Sequence, residues 1–402
     1  MSKLGSLLTL EYGEAMPGES RSGHGFPVFG SNGEVGRHFH SLVAEPGIIV
    51  GRKGSVGKVT WSDEPFWPID TTYWVRCAPE DNRWLYWVLN WLPLARLDSS
   101  TGIPGLNRND VYALSIYYPS LAERETIVQI LDTLDTAISE TEAIIAKLKA
   151  VKQGLLHDLL TRGIDANGEL RPPQSEAPHL YKESPLGWIP REWDDLCVGD
   201  LLIGIDAGWS PSCPEEPPNA GEWGVLKVSA VSSGSFDPQE SKRLPFNLKP
   251  IPAIEVKTGD VLLARANGVA ELVATTVLVR KTPSRLMLSD KTLRLVPDLG
   301  RLLPGHLARV MSASSTRKQI NGMLNGSSGQ QNISQWQIRN LRIAVPSISE
   351  QRICEDRNTE IEVRIVAELQ TMQKLIALKA GLMDDLLTGR VRVTSLLDGA
   401  RP

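Results

Sequence analysis

At 402 residues the chain exceeds one compact domain and suits two or three, each large enough to bury its own core. With 41% hydrophobic and 22% charged residues, no apolar run of membrane-spanning length and no signal-peptide pattern after Met1-Ser2-Lys3, the composition is globular and the expected address is the cytoplasm. A net charge of -4 excludes a globally basic nucleic-acid binder, and Cys77, Cys197, Cys213 and Cys354, scattered without Cys-x-x-Cys or zinc-finger histidines, argue against a structural zinc site or a disulfide framework.

Residues 1–119 read as a mixed α/β domain of short β runs broken by Gly, Pro and Ser, such as Gly47-Ile48-Ile49-Val50-Gly51. Basic residues gather where these runs turn: Arg37, Arg52, Lys53 and Lys58. The sharpest local motif is Arg52-Lys53-Gly54-Ser55-Val56-Gly57-Lys58, where glycine lets backbone approach a phosphate and arginine suits phosphates or base edges. Each of these residues alone is also what a solvated surface carries, so only the collective pattern speaks for a DNA face.

Nearby patterns that imitate catalytic motifs fail on chemistry. A P-loop over Gly51 to Thr60 would need Gly at Arg52 and Ser or Thr at Val59. His38 and His40, alternate on one run, have no further ligands to complete a metal shell. His24 with Ser22 or Ser55 lacks both a Gly-x-Ser-x-Gly elbow and an acid partner. No catalytic and no metal-binding residue is therefore assigned.

Residues 120–162 form a helix: from Glu123 to Leu160 there is no proline, and apolar residues step by four and three through Ile127, Leu131, Leu134, Ile138, Ile145, Leu148, Leu155 and Leu159. Residues 163–183 are polar, carry Pro172, Pro173 and Pro178, and read as a linker.

Residues 184–346 form a second mixed α/β domain, with Val256 to Leu263 as a strand region. Its basic residues are Arg265, Arg280, Lys281, Arg285, Lys291 and Arg294, and Arg265-Ala266-Asn267-Gly268 stands where the first domain has Arg52 and Lys53. Glu240-Ser241-Lys242 resembles the end of a nuclease motif, but no Pro-Asp precedes it at a workable spacing.

A second helix, residues 347–390, repeats the seam with Ile361, Ile365, Met372, Leu375, Leu382 and Leu386, and Ser347 or Ser349 is placed to cap it. Residues 391–402 form a short tail.

The two halves are copies. Leu106–Arg162 aligns without a gap on Ile333–Gly389 at a constant offset of 227 residues, pairing Pro119 with Pro346, Glu123 with Glu350 and Asp158 with Asp385. Ser99-Ser100-Thr101-Gly102 echoes Gly326-Ser327-Ser328-Gly329 just upstream, so Thr101 and Gln330 complete the candidate DNA contacts with Arg37, Arg52, Lys53, Ser55, Lys58, Arg265, Asn267 and Lys291.

Polar residues interrupt both helices at matching places, Thr141 with Glu368 and Lys152 with Lys379, a device that restricts pairing. The spacing predicts an antiparallel two-helix coiled coil whose facing residues include Leu131, Leu134, Ile138, Leu148, Leu155, Ile365, Met372, Leu375 and Leu382. A helix of this length is a rod of roughly 55 Å. The expected fold is thus α+β: two mixed α/β domains separated by two long antiparallel helices, with a pseudo-twofold internal repeat.

Tyr118-Pro119-Ser120-Leu121-Ala122-Glu123-Arg124 and Val345-Pro346-Ser347-Ile348-Ser349-Glu350-Gln351-Arg352, each followed by a helix ending Gly-Leu-(Leu/Met)-x-Asp-Leu-Leu-Thr, carry a resemblance. So do Pro185 to Trp193, Gly259 to Arg265, Phe26 to Gly33 and Gly51 to Gly54. Over nearly its whole length the chain resembles specificity subunits of type I restriction-modification systems. One departure is that no Ile-Pro-x-x-Trp opening precedes the first domain.

The resemblance implies two target recognition domains, each reading half of an interrupted double-stranded DNA site, with helices that fix the gap and dock two methylation subunits. Restriction subunits join that complex. S-adenosylmethionine, ATP and magnesium belong to those partners, and no cofactor or catalysis to this chain. Two other classes compete: a coiled-coil scaffold binding proteins, favoured by net acidity and by Trp84, Trp87 and Trp91 read as exposed, and a degenerate nuclease, which no residue pattern encourages.

Overall fold

The computed structural model describes residues 1–97, 105–327 and 330–394. Among them are eight α-helices: α1 (Asn82–Trp91), α2 (Arg108–Ala113), α3 (Leu121–Thr161), α4 (Ser229–Ser232), α5 (Pro304–Met311), α6 (Ser314–Met323), α7 (Gln335–Arg339) and α8 (Ile348–Leu387). Two compact units result, one from Met1–Ile145 with Ala367–Pro402 and one from Ala146–Val366, so α3 and α8 each give a half to each unit.

In the first unit a four-stranded sheet runs in the order Leu8–Tyr12, Thr72–Cys77, Gly47–Gly51, Val59–Ser62, and a three-stranded sheet in the order Gly33–His38, Phe26–Gly30, Trp67–Pro68. The second unit has the same two sheets: Leu202–Ala207, Thr292–Pro297, Val261–Ala264, Thr276–Leu278, and Ser241–Arg243, Gly224–Leu226, Leu286–Met287. In both small sheets the middle strand pairs antiparallel on one side and parallel on the other.

The central strand of each large sheet is apolar throughout because both its faces are covered. Alternation divides its side chains: Ile48 and Val50 enter the main core with Leu4, Trp84, Trp87 and Leu131, whereas Ile49 packs with Phe29 and Phe66. Val261 and Leu263 likewise face one core while Leu262 and Ala264 face another. Trp84 and Trp87, expected on the surface, are each only 1% exposed, because their face of α1 packs onto the sheet core that Leu131 of α3 also enters. That removes the exposed aromatic patch on which the scaffold reading leaned.

Both long helices start on a serine, with the same first backbone bond and opposite halves of a capping box. Ser120 accepts Arg124 N–H and its own N–H donates to Glu123 Oε2 at 3.3 Å; Ser347 accepts Gln351 N–H, and its Oγ caps Glu350 N–H at 3.3 Å. Each buried third-position carboxylate then binds an arginine that follows the other helix. Glu123 takes Arg392 at 2.7 Å, and Glu350 takes Arg171 at 2.5 Å, Trp193 Nε1 and the Ile164 N–H. Arg392 and the Ser120 groups hold the Glu123 carboxyl below its ordinary range despite burial.

Glycine ends both helices for steric reasons. Gly163 and Gly389 adopt φ of 63° and 74°. A Cβ on Gly163 would stand 2.1 Å from Glu350 Oε1, and one on Gly389 would meet the Tyr117 ring at 2.8 Å. The stretch 163–183, read as a linker, is thereby fastened: Arg171 and Tyr181 are buried, and Ile164 packs with Leu159 and Cys354. Val393, at the start of the short tail, is buried in the core of the first unit.

Within each unit the two helices run antiparallel. In the first, Arg392 just past the end of α8 meets Glu123 at the start of α3, and Lys379 two turns before that end meets Asp135, with Leu382, Leu386 and Leu387 packed at Ile127 and Leu131. In the second, Lys152 binds Glu362 at 2.8 Å and Leu155 and Leu159 cluster with Cys354. Leu131 and Ile365 are buried, while Leu134, Ile138, Leu148, Met372 and Leu375 are half-buried.

Candidate nucleic-acid interface

The turn after the central strand is built identically in both units. Arg52 N–H donates to Thr71 O at 2.9 Å and Arg52 O accepts Leu106 N–H at 2.9 Å. Arg265 N–H donates to Lys291 O at 2.8 Å and Arg265 O accepts Ile333 N–H at 3.0 Å. The strand that follows opens on a buried threonine in each case, Thr72 and Thr292, whose N–H and hydroxyl both turn back to the carbonyl three residues before. The pairing of Arg52 with Arg265 read from sequence is thus a pairing of backbone positions.

Around Arg52 the side chains are aromatic and basic. Its guanidinium lies 5.0 Å from the Tyr12 ring centre and 5.9 Å from that of Tyr73, and Arg108 lies 5.1 Å from Tyr12. Tyr12 stays 48% exposed, and burial raises the Tyr73 phenol to about 12. Lys53 is exposed beside this stack and bridges Gly105 through its backbone. Ser55 N–H reaches Ser31 Oγ at 3.4 Å, and Gly54 and Gly57, with φ of 79° and 74°, shape the turn between them.

Two candidates of the first unit serve the fold. Arg37 pairs with Glu34 at 3.1 Å and Glu64 at 3.2 Å, so its charge is already matched. Lys58 donates to Asn32 O at 2.7 Å and Oδ1 at 2.9 Å, tying two loops together. Thr101 lies outside the described residues.

In the second unit Arg265 and Lys291 are exposed side by side along the shared backbone bond. Asn267 is committed to its own turn: Oδ1 accepts Val269 N–H at 3.0 Å and Nδ2 donates to Ser232 Oγ at 3.0 Å. Gln330 sits in the strand Gln330–Asn332, across from Ser327, and its side chain lies outside the described residues. Tyr12 and Arg108 are the residues that sequence reasoning missed; Arg108 opens α2 directly after the capping residue Asn107, the one local signal that placed it at a turn.

Residues 1–150 match the family described as the type I restriction modification DNA specificity domain. The type I restriction enzyme EcoEI specificity subunit of Escherichia coli is 33% identical over 261 residues, 63% of this chain and 40% of that protein. Residues 1–150 thus carry a domain of the type I specificity kind, and the chain is similar to type I specificity subunits.

The MjaVIII specificity subunit of Methanocaldococcus jannaschii is 23% identical over 74% of this chain and 66% of its own length. The chain thus spans 40% to 66% of these curated relatives. Among solved structures, the S subunit from M. genitalium superposes with a TM-score of 0.61 at 14% identity, covering 96% of this chain and 95% of that one. A chain solved in work on complex assembly and conformational transition of the type I R-M system gives 0.55 at 15% identity, with 97% of each chain covered. These two establish a shared fold, the expected α+β arrangement with long paired helices. Among the described residues no helix is long and apolar enough to cross a membrane.

Proposed function

We propose that this chain is the sequence-reading subunit of a type I restriction-modification assembly. Each of its two domains contacts one half of an interrupted double-stranded DNA site, and α3 and α8 set the gap and receive two methylation subunits. The observation that carries this reading is the duplicated frame: identical backbone bonds hold Arg52 and Arg265, while the side chains around them differ. Two readers of unlike half-sites need that combination.

In this reading Arg52, Arg108 and Arg265 address base edges, where a guanidinium pairs with guanine in two-pronged fashion, and Lys53 and Lys291 neutralise phosphates. Both helices leave apolar side chains exposed, Ile144 of α3 with Ile376 and Leu378 of α8 in the first unit and Val151 of α3 with Val363 and Val366 of α8 in the second, as surfaces for the methylation subunits. Base methylation and ATP-driven cleavage, with S-adenosylmethionine, ATP and magnesium, reside on the methylation and restriction subunits, and this chain performs no chemistry. The assembly works in the cytoplasm.

The test is the methylation pattern of DNA from cells expressing the chain with its methylation subunit. A gapped, two-part adenine motif should appear and vanish when the chain is omitted. Arg52→Ala should relax one half of it, and one added heptad in both α3 and α8 should change the gap. An unchanged pattern from a complex that is assembled and competent would refute the reading.

A further inference from the structure

Equivalent places in the two units are filled differently, and the difference leaves a cleft of about 720 Å³ in the second. In the first unit, α1 lies against the edge strand Val59–Ser62 and against α3, and the space between them holds the rings of Trp61, Tyr86 and Trp87. Arg83 spans these rings, 4.6 Å from Trp61 and 4.7 Å from Tyr86, and pairs with Asp132 of α3 at 2.9 Å.

The second unit places α5 against the edge strand Thr276–Leu278 in the same way. Strand register puts Leu278 where Trp61 stands, since they face Val261 and Ile48 of the central strands. Gly305 and Ala308 replace Arg83 and Tyr86 along the helix, and the 227-residue repeat puts Thr359 where Asp132 stands. Leucine, alanine and glycine thus stand where unit one has Trp61, Tyr86 and Arg83, and the same helix offset puts Arg309 at the place of Trp87.

Polar atoms at the cleft are left unanswered. Asn358, 1% exposed and lining the cleft, occupies the position of fully buried Leu131, and its Oδ1 has no hydrogen-bond partner. Arg309 Nη1 and Glu355 Oε1 stand 3.8 Å apart, buried, and neither is hydrogen-bonded. A buried amide in place of leucine, with one acceptor idle, is the reverse of what a closed core selects. Of the cations in the lining, Lys152 and Arg280 share the single carboxylate of Glu362, Arg309 faces Glu355 and Lys281 is exposed, so positive charge is in excess, and Val363 and Val366 are exposed at 63% and 52% on the α8 side.

We propose that this cleft binds an acidic polypeptide segment of a partner protein, which inserts an aromatic side chain where the first unit supplies its own. The ring takes the space between Leu278, Ala308 and α8, a donor on the inserted segment answers Asn358 Oδ1, and carboxylates meet the cationic rim. Among the described residues the equivalent place in the first unit is filled by its own rings, so one segment binds per chain. The inference does not depend on DNA reading.

Isothermal titration of the full chain with acetyl-Asp-Glu-Trp-Glu-Asp-amide, the lysine-flanked acetyl-Lys-Lys-Trp-Lys-Lys-amide and N-acetyltryptophanamide tests it. The acidic peptide should saturate one site per chain at least tenfold more tightly than either other probe. Ala308→Trp, which fills the cleft from within, should weaken it tenfold or more, and Leu278→Trp provides a second filling if the first lowers the melting temperature. Absence of saturable binding, equal affinity for acidic and basic peptides, or binding untouched by either filling overturns the proposal. Equal affinity for the free tryptophan amide also overturns it, in favour of a small aromatic ligand.

Discussion

The first unit is closed with aromatic rings and the second with aliphatic side chains and buried polar groups, although both hang on one backbone plan. Where the first has Trp84 on the inner face of α1, the second has His306 on the inner face of α5, each 1% exposed. Where the first has Arg124 paired with Asp81 at 2.8 Å, the repeat gives the second Gln351, which bonds Leu303 N–H, Arg301 O and Pro346 O. Duplication preserves the places where backbone must be satisfied and lets side-chain chemistry drift. The second unit therefore carries more of its stability in buried polar groups and should be the more fragile to their removal and to acid.

The largest difference should appear at the two helix starts. Glu350→Ala leaves the Arg171 guanidinium, only 6% exposed, with Glu192 as its remaining carboxylate and strands Trp193 Nε1 and Ile164 N–H. Breaking a buried ion pair from one side costs about 3–5 kcal/mol. Glu123→Ala releases Arg392, whose side chain is 52% exposed and rehydrates, so about 1–2 kcal/mol is expected. Urea unfolding followed separately in the two units, by hydrogen exchange, should show the first substitution destabilising its unit by at least twice as much. Equal losses would sink the claim that the junctions differ.

Acid should single out the second unit. Burial pulls His306 down to about 4, and its Nε2 has no hydrogen-bond partner. The unfolded chain takes up a proton near pH 6.5 whereas the folded one resists until about 4, so this contribution is full above 6.5 and lost as pH falls between those values. The loss is on the order of 3 kcal/mol. His306→Leu should flatten that limb in the second unit's unfolding midpoint, while the first unit, with Trp84 at this place, keeps its own profile. A limb of unchanged slope in the variant would assign the acid sensitivity to other groups.

How far these features are legible in sequence depends on how local their causes are. The helices and the cap at Ser347 are written in spacings of three, four and seven residues, and the 227-residue repeat in a constant offset, and all can be read directly. Arg52 and Arg265 were legible as a pair because each follows a buried run. Their settings were not, since Tyr12 reaches Arg52, and Arg108 reaches Tyr12, from far along the chain. Nor does sequence tell that Arg37 is matched by Glu64 or that the Asn267 amide closes its own turn. The burial of Trp84 and Trp87 was missed because an amphipathic helix shows which side chains share a face, and only tertiary packing decides which face turns inward.

At the proposed DNA face, dependence on the two equivalent arginines should be unequal. Arg52 is held against Tyr12 and Tyr73 before any ligand arrives, whereas Arg265 is exposed and has rotamer freedom to lose. A two-pronged contact to a base contributes about 1–3 kcal/mol, and the preordered arginine should deliver more of it. Arg52→Ala is expected to weaken binding of the cognate duplex about 30-fold and Arg265→Ala about fivefold, each relaxing one half-site in a mutated-site panel. Uniform weakening across all sequences at both positions would make them phosphate contacts and erase the distinction.

The smallest effect tests the repeat itself. Lys152 binds Glu362 in the second unit and Lys379 binds Asp135 in the first, and the 227-residue offset exchanges one pair for the other. Both are partly exposed, so each should contribute under about 1 kcal/mol, less at high salt. Their surroundings nevertheless rank them. Lys152→Met leaves Glu362 in its ion pair with Arg280, so its charge stays compensated. Lys379→Met leaves Asp135 without this partner and also removes the ammonium 4.6 Å from the Trp87 ring. The first-unit lysine should therefore cost slightly more, a reversal of the order expected at the helix starts, and double-mutant cycles with Glu362→Gln and Asp135→Asn at low and high salt would resolve it. If Lys152 cost more instead, Arg280 would not compensate Glu362, and the cationic rim assigned to the cleft would be weaker than its side chains suggest.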